Sequence, residues 1–239
     1  MGDGPGPDEE SDLAAGAGRV AALLGLVSTH GAGVDQATEL MAASIGDIRG
    51  DVDAIHNAET AVGGVLDRLS YSAEYGYGST AEAISDIRTS RRHADLALAA
   101  AAIGNAIMAA KHEAQAIDAD SDAARMLTRA EGHGDDLLDG LQEAAALVDG
   151  ALGSAKSLVA LDDSSPAAAI HGKIAAQSEA LQEYAQRVEE IRTRLRGSRD
   201  LTELQVAADH FVALRHDLDE GMGRAQEIAS DSLDYNSRL

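Results

Sequence analysis

Apolar residues recur every seven positions along much of the chain, in two interleaved rows. In residues 34–73 these rows are Met41, Ile48, Ile55, Val62, Leu69 and Ile45, Val52, Leu66, Ala73, with Glu59 as the one polar interruption. Rows of this period predict long helices that pack against one another as in coiled coils. Because no segment resembles a run of strands, we expect an all-α fold, built as a long-helix bundle or as antiparallel coiled-coil hairpins.

The same pattern predicts about six helices. Their expected ranges are 11–29, 34–73, 80–117, 121–159, 166–196 and 201–230. Residues 1–10 are rich in Gly, Pro and acid and are expected to form a disordered tail. The helices then fall into a first segment, 11–117, and a second segment, 118–239, which we expect to pack together as one bundle.

A weak internal repeat suggests a duplicated helical hairpin. Val52 and Leu138 correspond under a shift that also places Ser79 on Ser165, 86 residues later. Ser79 with Glu82 has the spacing of a capping box, and Ser165 precedes a proline at a favoured helical start. Both serines are therefore predicted to begin a helix that follows a turn.

The stretch YSAEYGYGST, Tyr71–Thr80, holds three of the five tyrosines in a chain with one Phe and no Trp. Gly76 and Gly78 predict that the helix breaks here, which makes the stretch the connection of a helical hairpin. The tyrosines at its surface are the candidate partner-contact residues: Tyr71, Tyr75 and Tyr77.

The net charge of the chain limits which partners it can bind. With 41 Asp+Glu against 19 Lys+Arg, the net charge of −22 repels phosphate backbones, so we expect no nucleic-acid binding. The most apolar window, Leu96–Ala110, is shorter than the ~20 residues that span a bilayer, and we interpret it as a buried helix face. Without a signal-peptide pattern at the N-terminus, a cytoplasmic location and no membrane association are expected.

The sequence offers few candidate catalytic or metal-binding motifs. The chain has no Cys, and its eight His show no zinc or di-iron motif. Asp118–Arg129 begins like a calcium loop but lacks the required Gly and the final Glu. The basic cluster RTRLRGSR, Arg192–Arg199, is typical of a helix C-terminus. We therefore predict no catalytic residue, no metal, no cofactor and no small-molecule site.

These observations favour a non-enzymatic helical scaffold or protein–protein interaction module that self-associates. One alternative is a cargo or helper protein of a bacterial secretion or effector system. The Ala-rich, Cys-free texture resembles helical regions that accompany effectors in GC-rich bacteria, although the W-x-G turn and the Y-x-x-x-[DE] tail signal of the small secreted hairpin family are absent. A second alternative is an enzyme or cofactor-binding bundle with a site near the core polar residues Glu59 and Gln177.

Overall fold

The fold is all-α, as the sequence predicted. A computed structural model describes the backbone of residues 7–162 and 164–239, and the side chains of residues 31–162 and 164–239. Four helices account for nearly all of this part of the chain, in which no strand occurs. They are α1 (Pro7–Ala102), α2 (Ala106–Leu161), α3 (Ser165–Leu195) and α4 (Leu201–Asn236).

The chain divides into two units, residues 1–49 and residues 50–239. In the first unit, residues 1–6 of the predicted tail lie outside the described residues, whereas residues 7–10 already belong to α1. Met41 is exposed, although the apolar rows had predicted it in the core. The predicted division between residues 117 and 118 falls inside α2 and stays a prediction.

In the second unit the four helices pack side by side, each antiparallel to its neighbours. α1 contacts α2, where Arg68 pairs with Glu143, and α4, where Ser70 donates to Asp219. α3 lies between α2 and α4 and is diagonal to α1. Seven-residue rows supply the core of α1 and α2. In α1 the buried rows are Val52, Glu59, Leu66, Ala73, Thr80, Ile87 and Ile55, Val62, Leu69, Gly76, Ala83; in α2 they are Ala123, Ala130, Leu137, Ala144, Ala151, Leu158 and Leu127, Gly134, Leu141, Val148, Ala155.

The prediction of six helices is wrong, because the first two predicted helices and the part of the third up to residue 102 form one continuous helix, and the rest of the third belongs to α2. Residues 71–80 are helical, so the predicted hairpin connection does not exist and Ser79 caps nothing. The buried rows simply continue through small side chains. Gly76 lies against the ring of Phe211, and the Thr80 hydroxyl donates to the Gly76 carbonyl at 2.8 Å. Packing thus offsets the low helix propensity of glycine.

Two further predictions fail in the same region. The acidic loop expected at Asp118 lies within α2, whose inward face continues through the stretch, while Asp122 on the outside pairs with Arg125. The apolar window Leu96–Ala110 is not a buried helix face. It contains the turn between α1 and α2, and its large side chains are exposed. With the turn at residues 103–105, the proposed duplication of a hairpin around Ser79 and Ser165 has no structural counterpart.

Glycine allows the two sharpest turns. Gly104, between α1 and α2, and Gly197, between α3 and α4, have φ angles of 73° and 61°, in the region that residues with a Cβ rarely adopt. Asn105 then caps α2 by accepting a hydrogen bond from the Met108 amide at 3.1 Å. These two turns set how far each helical hairpin extends.

Candidate interaction surface

The α1–α2 hairpin extends past the other two helices. The α3–α4 turn is fixed beside it: Arg91 donates to the carbonyl of Arg199 at 2.9 Å, and Arg199 pairs with Asp120 at 3.3 Å. Residues 88–120 beyond this level, here called the hairpin tip, consist of two helical arms and the turn that joins them. Because α3 and α4 stop at its base, no helix within the described residues forms a second layer over the tip.

The core rows of the bundle run on into this tip without cover. Each residue that extends a core row into the tip lies a multiple of seven residues along the same helix from a buried residue. Together they form the floor of an open groove of about 580 Å³, here called the tip groove, flanked by Leu98 and Ile117. The floor residues are Ser90, Ala94, Ala97 and Ala101 of α1, and Ala109, Glu113, Ala116 and Asp120 of α2.

The groove lies on the side of the hairpin where α3 and α4 pack in the body of the bundle. Leu98 is in the same seven-residue row as Gly63 and Ser70. A Cβ on Gly63 would lie 3.9 Å from Ala225 of α4, and Ser70 donates to Asp219 of α4 at 2.7 Å. The groove is therefore the bundle interior, left open where the covering helices end.

The arms of the tip are held together by small residues and two polar contacts. Ser90 Oγ donates to the Ala116 carbonyl at 2.9 Å, and the Nδ1 atoms of His93 and His112 are 3.3 Å apart, so one ring donates and the other accepts. The two rings also stack, with centroids 5.5 Å apart. These contacts preserve the two-helix spacing of the body after the covering helices have ended.

Large apolar side chains of the tip are in solvent. Leu98 is 71% exposed, Ile103 is 80% exposed and Ile107 is 84% exposed. Leu98 lies on the row of the buried Ile84, whereas Ile103 and Ile107, beside the turn, continue rows that are exposed in the body of the bundle. These side chains therefore leave apolar surface of the tip open to solvent.

The tip is amphipathic and carries none of the chain's excess charge. Residues 88–120 contain four Lys+Arg and four Asp+Glu, so the −22 belongs to the rest of the chain. Arg88, Arg92 and Asp95 lie together on the outer face of α1, away from the groove. The apolar side of the tip therefore faces the direction in which the bundle interior continues.

The tyrosine stretch lies in the body of the bundle, on the outside of α1. Tyr71, Tyr75 and Tyr77 are all exposed, and the ring of Tyr75 stacks on His133 of α2 with centroids 5.9 Å apart. Tyr71 and Tyr75 share one side of the helix, because they are four residues apart, whereas Tyr77 points to another. Their part in binding stays a prediction.

The core polar pair named by the sequence is brought together. Gln177 Nε2 donates to Glu59 Oε2 at 3.0 Å, across the bundle from α3 to α1. Burial raises the pKa of the Glu59 carboxyl from 4.5 to about 7, although the hydrogen bond from Gln177 acts in the opposite direction. A cavity of about 580 Å³ between α1 and α4 adjoins Glu59 and His56. The pair is a buried polar contact that links α3 to α1 across the core.

Three of the four arginines in the basic cluster form ion pairs. Arg192 pairs with Asp135 at 2.8 Å, Arg194 pairs with Glu203, and Arg199 pairs with Asp120 at 3.3 Å. Across residues 31–162 and 164–239, no group of three or more His, Cys, Asp or Glu side chains is placed to hold a metal ion. Within the same residues, α2 contains one stretch long and apolar enough to cross a membrane. That is weak evidence, since core helices of soluble proteins meet the same criterion.

Comparison with known proteins gave no match to a family model, to a curated protein sequence or to a solved structure.

Sequence reasoning did not find the tip groove. The available signal was the Gly104–Asn105 pair inside the apolar window, since glycine followed by asparagine is a turn and capping signal. Once a turn is placed there, the window becomes two short arms. The length of the hairpin relative to α3 and α4 then shows that nothing in the described chain covers the apolar face of these arms.

Proposed function

We propose that this protein is a non-enzymatic helical interaction module that self-associates through the tip groove. The observation that carries the proposal is the continuation of the bundle's core rows, with Ala94 and Ala116 at core positions, into a groove that faces solvent. Five of the eight floor residues are alanine and are flanked by Leu98 and Ile117, so this side is mainly apolar although Ser90, Glu113 and Asp120 lie on it. Helices that pack here would bury the apolar surface that the monomer leaves open.

Sedimentation velocity, over protein concentrations from about 1 μM to about 500 μM, tests this function. We expect the mean mass to rise with concentration, and more steeply in 1 M than in about 0.1 M NaCl, because salt screens the repulsion between molecules of charge −22. Ala94→Glu places a charge on the groove floor and should keep the protein monomeric.

The matched control is Ala99→Glu, which makes the same change on the outer face of α1. Both alanines are exposed, so both variants should fold, and circular dichroism checks this. If the wild type has the mass of one chain at every concentration and salt, self-association is excluded. If Ala94→Glu and Ala99→Glu associate equally well, the groove is not the contact surface.

A further inference from the structure

We propose that the partner in the tip groove is the hairpin tip of a second copy, packed antiparallel, so that each tip occupies the space that α3 and α4 leave empty in the other. The inference rests on the proposed function and adds to it the identity of the partner and the geometry of the pair.

The groove is wide enough for a facing layer of two helices. In the body of the bundle, the rows of α1 that contain Leu66 and Gly76 are covered by α4, where Leu66 lies against Gly221 and Gly76 against Phe211. In the tip the same rows, now represented by Ala94 and Ala97, need a facing layer of the same width. A second tip is such a layer, with two arms at the same spacing and a matching set of small floor residues flanked by Leu98 and Ile117.

Steric exclusion decides the direction of the second tip. Two tips that face each other groove to groove are related by a two-fold axis that runs either along the helices or across them. In the first case the tips point the same way. Each copy's α3 and α4, which lie on the groove side from about the level of Arg91, would then overlap α1 and α2 of the other copy.

In the second case the tips point in opposite directions and no helix of one copy collides with a helix of the other. The two tips then lie against each other from Arg91 to Ala102, which at ~1.5 Å per residue is about 18 Å of helix. The axis then passes near Ala97, and α1 of one copy runs antiparallel to α1 of the other. Ala94 faces Ala101 of the second copy, so alanines meet at the closest approach of the helices.

The overall charge of the tip permits a second copy as the occupant, although the groove floor itself carries two carboxylates, Glu113 and Asp120, and no basic side chain. The tip is electrically balanced, and the antiparallel arrangement puts the two strongly acidic bodies at opposite ends of the pair. Their centres are then separated by much more than the ~8 Å Debye length of physiological salt. A lipid surface fits less well, because insertion of the whole tip would also bury charged side chains outside the groove, among them Asp95.

The antiparallel arrangement also determines how many chains the assembly contains and how tightly they bind. Each copy has one groove, and the pairing uses both, so the assembly closes at two chains and does not grow into a filament. A face about 18 Å long and two helices wide, at ~10 Å per helix, presents roughly 360 Å² per copy. That places the pair among small interfaces, and we expect it to dissociate on dilution.

Electron–electron distance measurements between spin labels test the arrangement. The chain has no Cys, so Thr89→Cys and Glu82→Cys each carry a single label. Both positions are exposed and lie outside the groove floor. They are seven residues apart on the same side of α1, so their lateral offsets from the axis are the same.

In the antiparallel pair, each residue farther from the axis adds about 3 Å to the distance between copies, twice the helical rise. The Glu82→Cys distance should therefore exceed the Thr89→Cys distance by roughly 20 Å, and the Ala94→Glu change should abolish both. Equal distances at the two sites would mean a parallel pair and would overturn the inference while leaving self-association intact.

Two other outcomes would also overturn it. A mass above two chains at saturation would show an open assembly. A protein that stays monomeric, but co-floats with vesicles containing about 30% phosphatidylserine in a manner lost in Ala94→Glu and retained in Ala99→Glu, would show that the groove takes lipid. A protein that is monomeric at every concentration, whether or not it binds these vesicles, would contradict the proposed self-association itself.

Discussion

The carboxyl group of Glu59 should make the stability of the protein depend on pH. It is fully buried, its Oε2 accepts a hydrogen bond from Gln177, and its Oε1 has no partner. Burial raises its pKa from 4.5 to about 7. The informative change is Glu59→Gln, which keeps the size of the side chain and its hydrogen bonding to Gln177 but removes the titrating group.

The direction in which the free energy of unfolding changes with pH follows from the number of protons that each state binds. The unfolded chain ionises this carboxyl near pH 4.5 and the folded chain near pH 7, so between these values the folded state binds more protons. The free energy of unfolding therefore falls as pH rises through this interval and stays low above it. A pKa moved over that range corresponds to roughly 3 kcal/mol, of which about 2.5 kcal/mol is lost between pH 5 and pH 8.

Urea denaturation of wild type and Glu59→Gln, at about pH 5 and about pH 8, measures the effect. The two proteins share the pH dependence that comes from their general acidity, so the difference between them isolates this carboxyl. We expect Glu59→Gln to gain about 2.5 kcal/mol on the wild type between the two pH values. Glu183→Gln, at an exposed position of α3, is the control and should gain nothing. Parallel pH profiles for wild type and Glu59→Gln would refute the reasoning, because they would mean that the Glu59 carboxyl is solvated.

Two further predictions concern the tyrosine stretch. A Cβ on Gly76 would lie 2.6 Å from Cζ of the buried Phe211, so Gly76→Ala should destabilise the protein by about 1–3 kcal/mol, whereas Gly78→Ala meets nothing within 4 Å and should stabilise it by roughly 1 kcal/mol. Thermal or urea denaturation of both variants tests this, and a gain in both would contradict the described packing of α1 on α4. Tyr77→Ala should change the free energy of unfolding by less than about 0.5 kcal/mol and leave self-association unchanged, since the side chain is exposed. Weaker sedimentation-detected association in Tyr77→Ala would instead make this tyrosine a contact residue.

The buried face of α1 could be predicted because its pattern is local. Val52, Ile55, Val62 and Leu66 are fully or almost fully buried, and each is identified by the seven-residue spacing alone. The same reasoning singled out Glu59 and Gln177 as core polar positions. It did so without showing that the two side chains meet, since α1 and α3 are related by the tertiary fold and not by sequence spacing.

Helix ends were harder to predict, because tertiary contacts override local propensity. Gly76 and Gly78 favour a break, but a break would have exposed Ala73 and Ala83, which are fully buried. The acidic run at Asp118 reads as a loop only if its neighbours are polar all round. Ala116 and Ala123 instead continue the inward face of α2. In both places, apolar rows that continue across the weak point were a better guide than the weak point itself.

The tip groove shows that the apolar rows continue even beyond the part of the bundle that α3 and α4 cover. The rows do not stop where their covering helices stop. They pass Ile87 and Ala123, the last buried positions of these two rows, and go on as Ala94 and Ala101 in one arm and Ala109 and Ala116 in the other. In α1 the side chains on the row become smaller, from Leu66 and Ile87 to alanine, whereas the α2 row is already mostly alanine in the body. Small residues at core positions bring facing helices closer, so this part of the rows is suited to a tighter layer than α3 and α4 provide. A hairpin that merely needed to be soluble gains nothing from apolar core positions in water, and this favours a partner helix layer as the physical reason for the length of the α1–α2 hairpin.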